Sequence, residues 1–550
     1  MACRSKFLVA SLLLSGGLFF FCGPAHSNDE IGKTVKTSID RITHLETQRR
    51  SLKEQPTRQL ELANVVRELS LLYADACNFT EAKELLKEDI TIRRELDRDD
   101  LPESYILLGY VFRLEGQYTP ARKWTELGVS NLEKRQDIDN KRLSAAYNYL
   151  ALLNNNAGNF VQSEESARKA LAMAKQANLS EEICAMHSVV LANALRQQSK
   201  FDEALKILEP AVAVLSKSEK GDALFATATN NLGALYFWLG DYQQALTILR
   251  EGLRLRLEAQ GDNHPDTANS YLDLGCAEYK LGQLEPAITH LSHALEIRRN
   301  KLGINHPETL FAMANLAVTL DTAGKPKQAI QLLSETVITG RRVLGDLHPD
   351  LAQYYEDYAN VLVEQKEIAK ALKYAQDSLN IRKRVFGEES REYAAGLRSM
   401  AQIQVAGGSP KDACILLDES ISIYKKIGIE ADTNYAETLE ELATIQIDQN
   451  DLDTARANYC LSVEKQATHG ASIPYAISLA NLSEILKRLN KITECRATME
   501  KAVSVVDELP EPQKSSPDCE TIRDQLRQMK LDGKPVTSVA RPIGDKPISE

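Results

Sequence analysis

Beyond residue 21 the sequence has no apolar run long enough to cross a bilayer, which takes about 20 residues. Catalytic signatures are missing as well. There is no His-Glu-x-x-His, no Cys-x-x-Cys and no Gly-x-Ser-x-Gly. Gly324-Lys325 is followed by Pro326, inside an inter-helix turn, so it is no phosphate-binding loop. The chain is therefore read as non-enzymatic, with no cofactor and no metal site. Runs of β-branched residues are few, while Ala, Leu, Glu, Lys and Gln abound, which favours helix over strand. The formal charge is −11, which argues against a general nucleic-acid or anionic-membrane binder. A single core would be unusually large for 550 residues.

The first residues read as a secretory signal. Arg4 and Lys6 precede an apolar stretch from Phe7 to Phe21, and Ala25-His26-Ser27 offers a small-x-small cleavage site. The expected mature chain starts near Asn28, outside the cytoplasm; an uncleaved membrane anchor is the alternative. Cys3 and Cys22 lie in this segment. The other seven cysteines, Cys77, Cys184, Cys276, Cys414, Cys460, Cys495 and Cys519, are odd in number and scattered, unlike a disulfide framework, and read as thiols at small apolar positions.

What the sequence does have is a period. Ser70, Gly109, Ala151, Ala192, Gly233, Gly275, Ala317, Ala359, Ala401, Ala443 and Ser483 recur at about 42 residues. Twelve residues after each stands a second small residue: Ala82, Ala121, Ser163, Ala204, Ala245, Ala287, Ala329, Ala371, Ala413, Ala455 and Cys495. Such a period means stacked supersecondary units, each packing on its neighbours. In one unit, Pro265 starts a helix carrying Leu272, Leu274, Gly275 and Ala277, and Gly282 breaks it. A second helix carries Ala287, Ile288, Leu291, Ala294, Leu295 and Ile297 at three-and-four spacing, and Gly303 ends it. Gly275 and Ala287 are small so that the two helices approach closely.

Asn231-Leu232-Gly233-x-x-Tyr236-x-x-x-Gly240-x-Tyr242-x-x-Ala245 resembles the tetratricopeptide repeat, as does Leu108-Gly109…Gly116-x-Tyr118-x-x-Ala121. The usual period is 34 residues. The longer one here, with linkers Gly261…His264-Pro265, Gly303…His306-Pro307 and Gly345…His348-Pro349, resembles the kinesin-light-chain-type subclass. A fourth linker keeps Gly387 but has Ser390-Arg391 in place of His-Pro. The implied fold is all-α: a right-handed superhelical solenoid of about eleven antiparallel helix pairs. The expected organisation is a signal peptide (1–27), a capping helical segment with Val35, Ile39, Ile42 and Leu45 (28–62), the repeats (63–506), a capping helix begun by Ser516-Pro517 (507–532) and a disordered tail (533–550).

The linker histidines sit at equivalent points of successive units, roughly 10 Å apart by helix packing distances, and read as turn residues rather than zinc ligands, which must lie about 2 Å from one ion. His290 and His293, three apart on one helix, read as surface residues, since no carboxylate or thiol obviously completes a site.

By the family's pattern the first helix of each pair lines a concave groove. Asn148, Tyr149, Asn155, Asn156, Asn193, Asn230, Asn231, Trp238, Asn269, Tyr279 and Asn315 then form one zone, suited to holding the backbone of an extended peptide. Glu356, Asp357, Glu364, Glu437, Glu440, Glu441 and Asp448 form a second, offset only by Arg398, which would steer a basic partner. The expected role is a scaffold or adaptor binding a protein or extended peptide. A self-assembling envelope protein and a polysaccharide-binding solenoid remain open. Replacing Glu437, Glu440 and Glu441 with Lys tests the acidic zone: capture of native partners from the exported fraction should fall, and unchanged capture removes the idea.

Overall fold

The structure is a computed structural model that describes residues 28–532 without 76–77, 135–138, 199, 218–222, 430–431, 469, 510–513 and 515, with side chains from residue 41 to 529. The expected signal peptide, Cys77 and the tail from 533 lie outside the described residues, as do the side chains of Val35 and Ile39. Among the described residues there are 24 α-helices, one short 3-10 turn and no strand. The chain is an all-α repeat solenoid.

Helices Gln59–Asp75 and Phe79–Glu95 make the first pair, and Ile473–Arg488 and Ile492–Glu508 the eleventh. Asn28–Lys53 precedes the pairs and Pro517–Asp532 follows them. Leu45 and Leu52 of the leading helix pack with Leu62, Ala63, Val66 and Leu69 of the first pair. Ile522 and Leu526 of the last helix pack with Met499, Val505 and Val506 of the eleventh. Both end helices thus cover an apolar face that no further repeat would bury.

Helix starts follow local chemistry. His264, His306 and His348 are N-caps: each imidazole Nδ1 accepts from the backbone N–H two residues on, at 3.1–3.2 Å, and proline fills the next position. Ser390 does the same work for the departing linker, its hydroxyl accepting from the Tyr393 N–H. The linker histidines are turn residues with a specific job.

The described chain divides into two compact units, one up to Val343 and one from Leu344. Within each, a first helix packs on its own second helix and on the next pair. The small residues mark the closest approach. A Cβ on Gly109 would lie 2.8 Å from the Ala121 carbonyl oxygen and would collide with Thr125; one on Gly275 would lie 2.8 Å from Leu291 Cγ.

A feature absent from the sequence reading repeats alongside. Arg93, Arg256, Arg298 and Arg382 stand at one register of four second helices, all at most 5% exposed. Each reaches back to the same position of its own first helix: Arg93 to Asn64, Arg256 to Thr227, Arg298 to Asn269 and Arg382 to Gln353. Charge-assisted bonds of this kind are worth about 1.5–3 kcal/mol and fix the two helices axially, where apolar packing alone tolerates sliding.

Gly109→Ala should destabilise the first unit by about 1–3 kcal/mol, because a backbone carbonyl cannot yield. Gly275→Ala should cost less, since its backbone neighbour, the Ala287 carbonyl oxygen, lies at 3.2 Å, the Leu291 side chain can shift, and alanine gains about 1 kcal/mol of helix propensity. Denaturant midpoints of the two variants check the order.

Candidate functional site

Neighbouring first helices touch one another directly, as Asn140–Asn156 touches Glu181–Gln197 and that helix touches Ala223–Trp238, so they form the inner side of the stack. In the unit up to Val343 this side is polar and covered. Asn148, Asn155, Asn193, Asn230, Asn231, Asn269 and Asn315 are all under 9% exposed. Some are engaged. Asn193 Oδ1 accepts from Arg196 Nε and Nη2 at 3.2 and 2.9 Å. Asn230 donates to Ser270, and Asn269 accepts from Arg298. Asn315 donates to the Phe311 carbonyl of its own helix at 2.9 Å, and the Tyr279 hydroxyl meets Thr322 at 3.1 Å. Several buried polar atoms have no hydrogen-bond partner in the protein: Asn148 Oδ1, both amide atoms of Asn155 and Asn156, Trp238 Nε1, and the amide oxygens of the half-engaged Asn230 and Asn315. Leaving such a group unmatched costs about 1–3 kcal/mol.

Two arginines belong to this face and were missed in sequence. Arg113 and Arg196 both stand four residues after the small residue of their first helix, the position that holds Asn155 in the pair between them. The signal was present, since that register was already used for Asn155 and Tyr279. Arg113 lies over the rings of Tyr110 and Tyr149 and donates from Nε to the Tyr149 hydroxyl at 3.2 Å. Burial pushes the Tyr149 phenol up to about 12. Arg196 lies 5.9 Å from the Trp238 ring centre, and desolvation brings its guanidinium down to about 10.

One contact joins distant pairs inside this unit. His306 Nε2 donates to the Leu114 carbonyl at 2.7 Å, 192 residues away, while Pro307 rests on Gly116, whose φ of +79° and crowded Cβ position admit only glycine. His306 Nδ1 accepts from the Glu308 N–H, so both ring nitrogens are committed and the ring is neutral. Burial, aided by Arg298 and Arg113, brings its pKa down to about 4. Glu308 beside it is pushed up to about 7 by burial, against the pull of Arg298 and Arg113.

In the unit from Leu344 the acidic zone is neutralised from within. Glu356 pairs with Arg382 and accepts from Ser399; Asp357 accepts from Gln353 at 2.8 Å. Glu437 and Glu441 both pair with Arg398. Glu440 accepts from Ser462, Ser478 and Gln466, and burial pushes its carboxyl up to about 7. Glu364 and Asp448 are exposed. Arg398 is thus not the only offset, because Arg382 arrives from a second helix whose register the sequence reading had not followed inward. The triple Lys substitution would break this core, so it does not test a surface alone.

His290 and His293 flank Tyr271, and each has its own carboxylate: Glu278 at 2.7 Å and Asp262 at 3.1 Å. Carboxylates that seemed missing are therefore present, but they serve the histidines separately. Among the described residues no group of three or more His, Cys, Asp or Glu side chains is placed to hold a metal ion, and no helix is long and apolar enough to cross a membrane. Cys184, Cys276, Cys414, Cys460, Cys495 and Cys519 are free thiols.

Sequence profiles of one repeat family match residues 189–256, 224–300, 277–337 and 350–426. These segments are tetratricopeptide repeats. Solved structures with partial likeness include a putative kinesin light chain from Podosopora anserina, with nearly identical TPR-like repeats (21% identity, 36% of this chain and 95% of that one, TM-score 0.33). BtubC from P. vanneervenii overlaps 44% of this chain and 92% of its own at 16% identity and TM-score 0.33. A Rap protein complexed with competence and sporulation factor overlaps 67% and 99% at 15% identity and TM-score 0.47. No curated protein matches the sequence.

The unit up to Val343 should lose stability in acid. His306 has a folded pKa of about 4 against an ordinary value of about 6.5, so its contribution is complete above pH 6.5 and lost as pH falls through 4. A shift of that size corresponds to about 3 kcal/mol. His187, also lowered to about 4, adds a similar slope. Glu308 acts oppositely, its stabilisation fading as pH rises through about 7. His306→Asn keeps a capping acceptor but removes the titration. It should remove about half the loss of melting temperature between pH 6.5 and 4.

Proposed function

We propose that this protein is a non-enzymatic scaffold or adaptor that binds a protein or extended peptide along the inner face of its tetratricopeptide repeats, outside the cytoplasm. The observation that carries the reading is a set of buried, unmatched polar atoms on two first helices of one unit: Asn148, Asn155 and Asn156 on Asn140–Asn156, and Asn230 with Trp238 Nε1 on Ala223–Trp238. Asparagine amides offer a donor and an acceptor at one site, which is what a peptide backbone presents in return. Trp238, stacked with Phe201, adds a rigid apolar wall. Extended inner surfaces are how solenoids bind. Export rests on the basic, apolar and small-residue pattern of the first 27 residues.

A peptide array probed with residues 28–550 should return extended segments. Their binding should fall at least about tenfold in the Asn155→Ala Trp238→Ala double variant, about 1.4 kcal/mol, at unchanged ellipticity. Segments bound equally well by the variant would place the site elsewhere.

A further inference from the structure

His290 and His293 belong neither to the apolar packing nor to the inner face. Both stand on Leu284–Lys301, the second helix of the sixth pair, and their side chains are part-exposed. His290 Nδ1 meets Glu278 Oε2 at 2.7 Å, and His293 Nε2 meets both oxygens of Asp262 at 3.1 Å. An ionised carboxylate can only accept, so each ring carries a proton on the nitrogen that faces its carboxylate. In the neutral imidazole the other nitrogen is then a bare lone pair. The carboxylates thus fix the tautomers: Nε2 of His290 and Nδ1 of His293 are the nitrogens left to act as ligands.

Residues three apart on a helix have Cβ atoms about 5–6 Å apart, so the two rings can reach one ion. Their neighbours hold them in place. His290 stacks on Tyr271 with ring centres 5.7 Å apart, and His293 stands edge-on to the same ring at 4.7 Å. The Tyr271 hydroxyl donates to Asp262 at 2.8 Å. Burial, with that carboxylate, pushes the phenol up to about 12, so Tyr271 stays protonated and serves as a support rather than a ligand. The Glu278 side chain is 2% exposed, which fixes the oxygen that His290 meets. Both histidines line an open groove of about 620 Å³. A carboxylate behind each imidazole is the arrangement that orients histidine ligands and strengthens them toward a metal.

We propose that His290 and His293 are the protein ligands of a divalent transition-metal site on the second-helix side of the sixth pair, oriented by Glu278 and Asp262. Imidazole nitrogen suits Zn²⁺, Cu²⁺ and Ni²⁺, whereas Ca²⁺ and Mg²⁺ take oxygen. Glu296 lines the same groove one turn beyond His293, but among the described residues no third side chain is placed as a ligand, so water takes the remaining positions. The carboxylates come from 12 and 31 residues away and act from behind the rings, not on the ion. The site is independent of the inner-face reading above.

The test titrates residues 28–550 with Zn²⁺ and, separately, with Ca²⁺, by isothermal calorimetry near neutral pH. Zn²⁺ should show a site that Ca²⁺ does not. His290→Gln and His293→Gln keep a donor for the carboxylate but remove the ligand, and each should weaken that site at least about tenfold. Glu278→Gln leaves both ligands in place and should weaken it about tenfold, the low end of what losing such an outer partner costs. Glu296→Gln should leave it unchanged. Crystals of the unaltered chain grown with Zn²⁺ give a readout that needs no variant: an anomalous peak about 2 Å from both rings. Absence of a Zn²⁺ site overturns the proposal. So does a site untouched by both histidine variants, as binding at the free thiols would give, or a peak away from these rings. A site that the histidine variants weaken and Glu278→Gln does not overturns the orienting role of the carboxylate.

Discussion

The close approach of two helices at a pair of small residues twelve positions apart is the constraint on which everything else rests. At Gly109 the space for a side chain is already taken by Thr125 and a backbone carbonyl. Helices packed this tightly bring their polar side chains within reach of one another. That is why arginines of second helices meet Asn64, Thr227, Asn269 and Gln353, and why so many amides on first helices are covered. Widen the approach by one methyl group and the arginine bonds lengthen with it.

The fold was legible because period and small-residue spacing report on backbone distance, which a sequence encodes directly. Helix pairs, glycine stops, proline starts and the Ser390 substitution could all be read from single residues and their neighbours. The site was legible only in part. Register alone assigned Asn148, Asn155 and Trp238 to one face of their first helices. Their state of engagement was not readable, because Asn269 and Asn155 look alike in sequence while one is held by Arg298 and the other has no partner.

The acidic stretch shows the same limit. Seven carboxylates at inner-face positions suggest a field, but a field depends on what stands opposite. Arg382 and Arg398 stand there, with serines and glutamines around Glu440. Counting charge along one helix face misses the second helix that answers it. Conversely, Arg113 and Arg196 drew no notice as isolated basic residues, yet both are buried against aromatic rings on first helices.

A stack of repeats ordinarily behaves as a one-dimensional chain, each member answering only to its neighbours, so unfolding can begin at any joint. The contact between the Leu114 carbonyl and His306 links positions 192 residues apart. It turns that chain into a loop with a clasp. Fraying at one joint must then strain the clasp, and the pairs between should exchange their amide hydrogens as one cooperative block rather than in graded steps. A repeat protein so fastened has an on-off character that its neighbour-by-neighbour construction does not suggest.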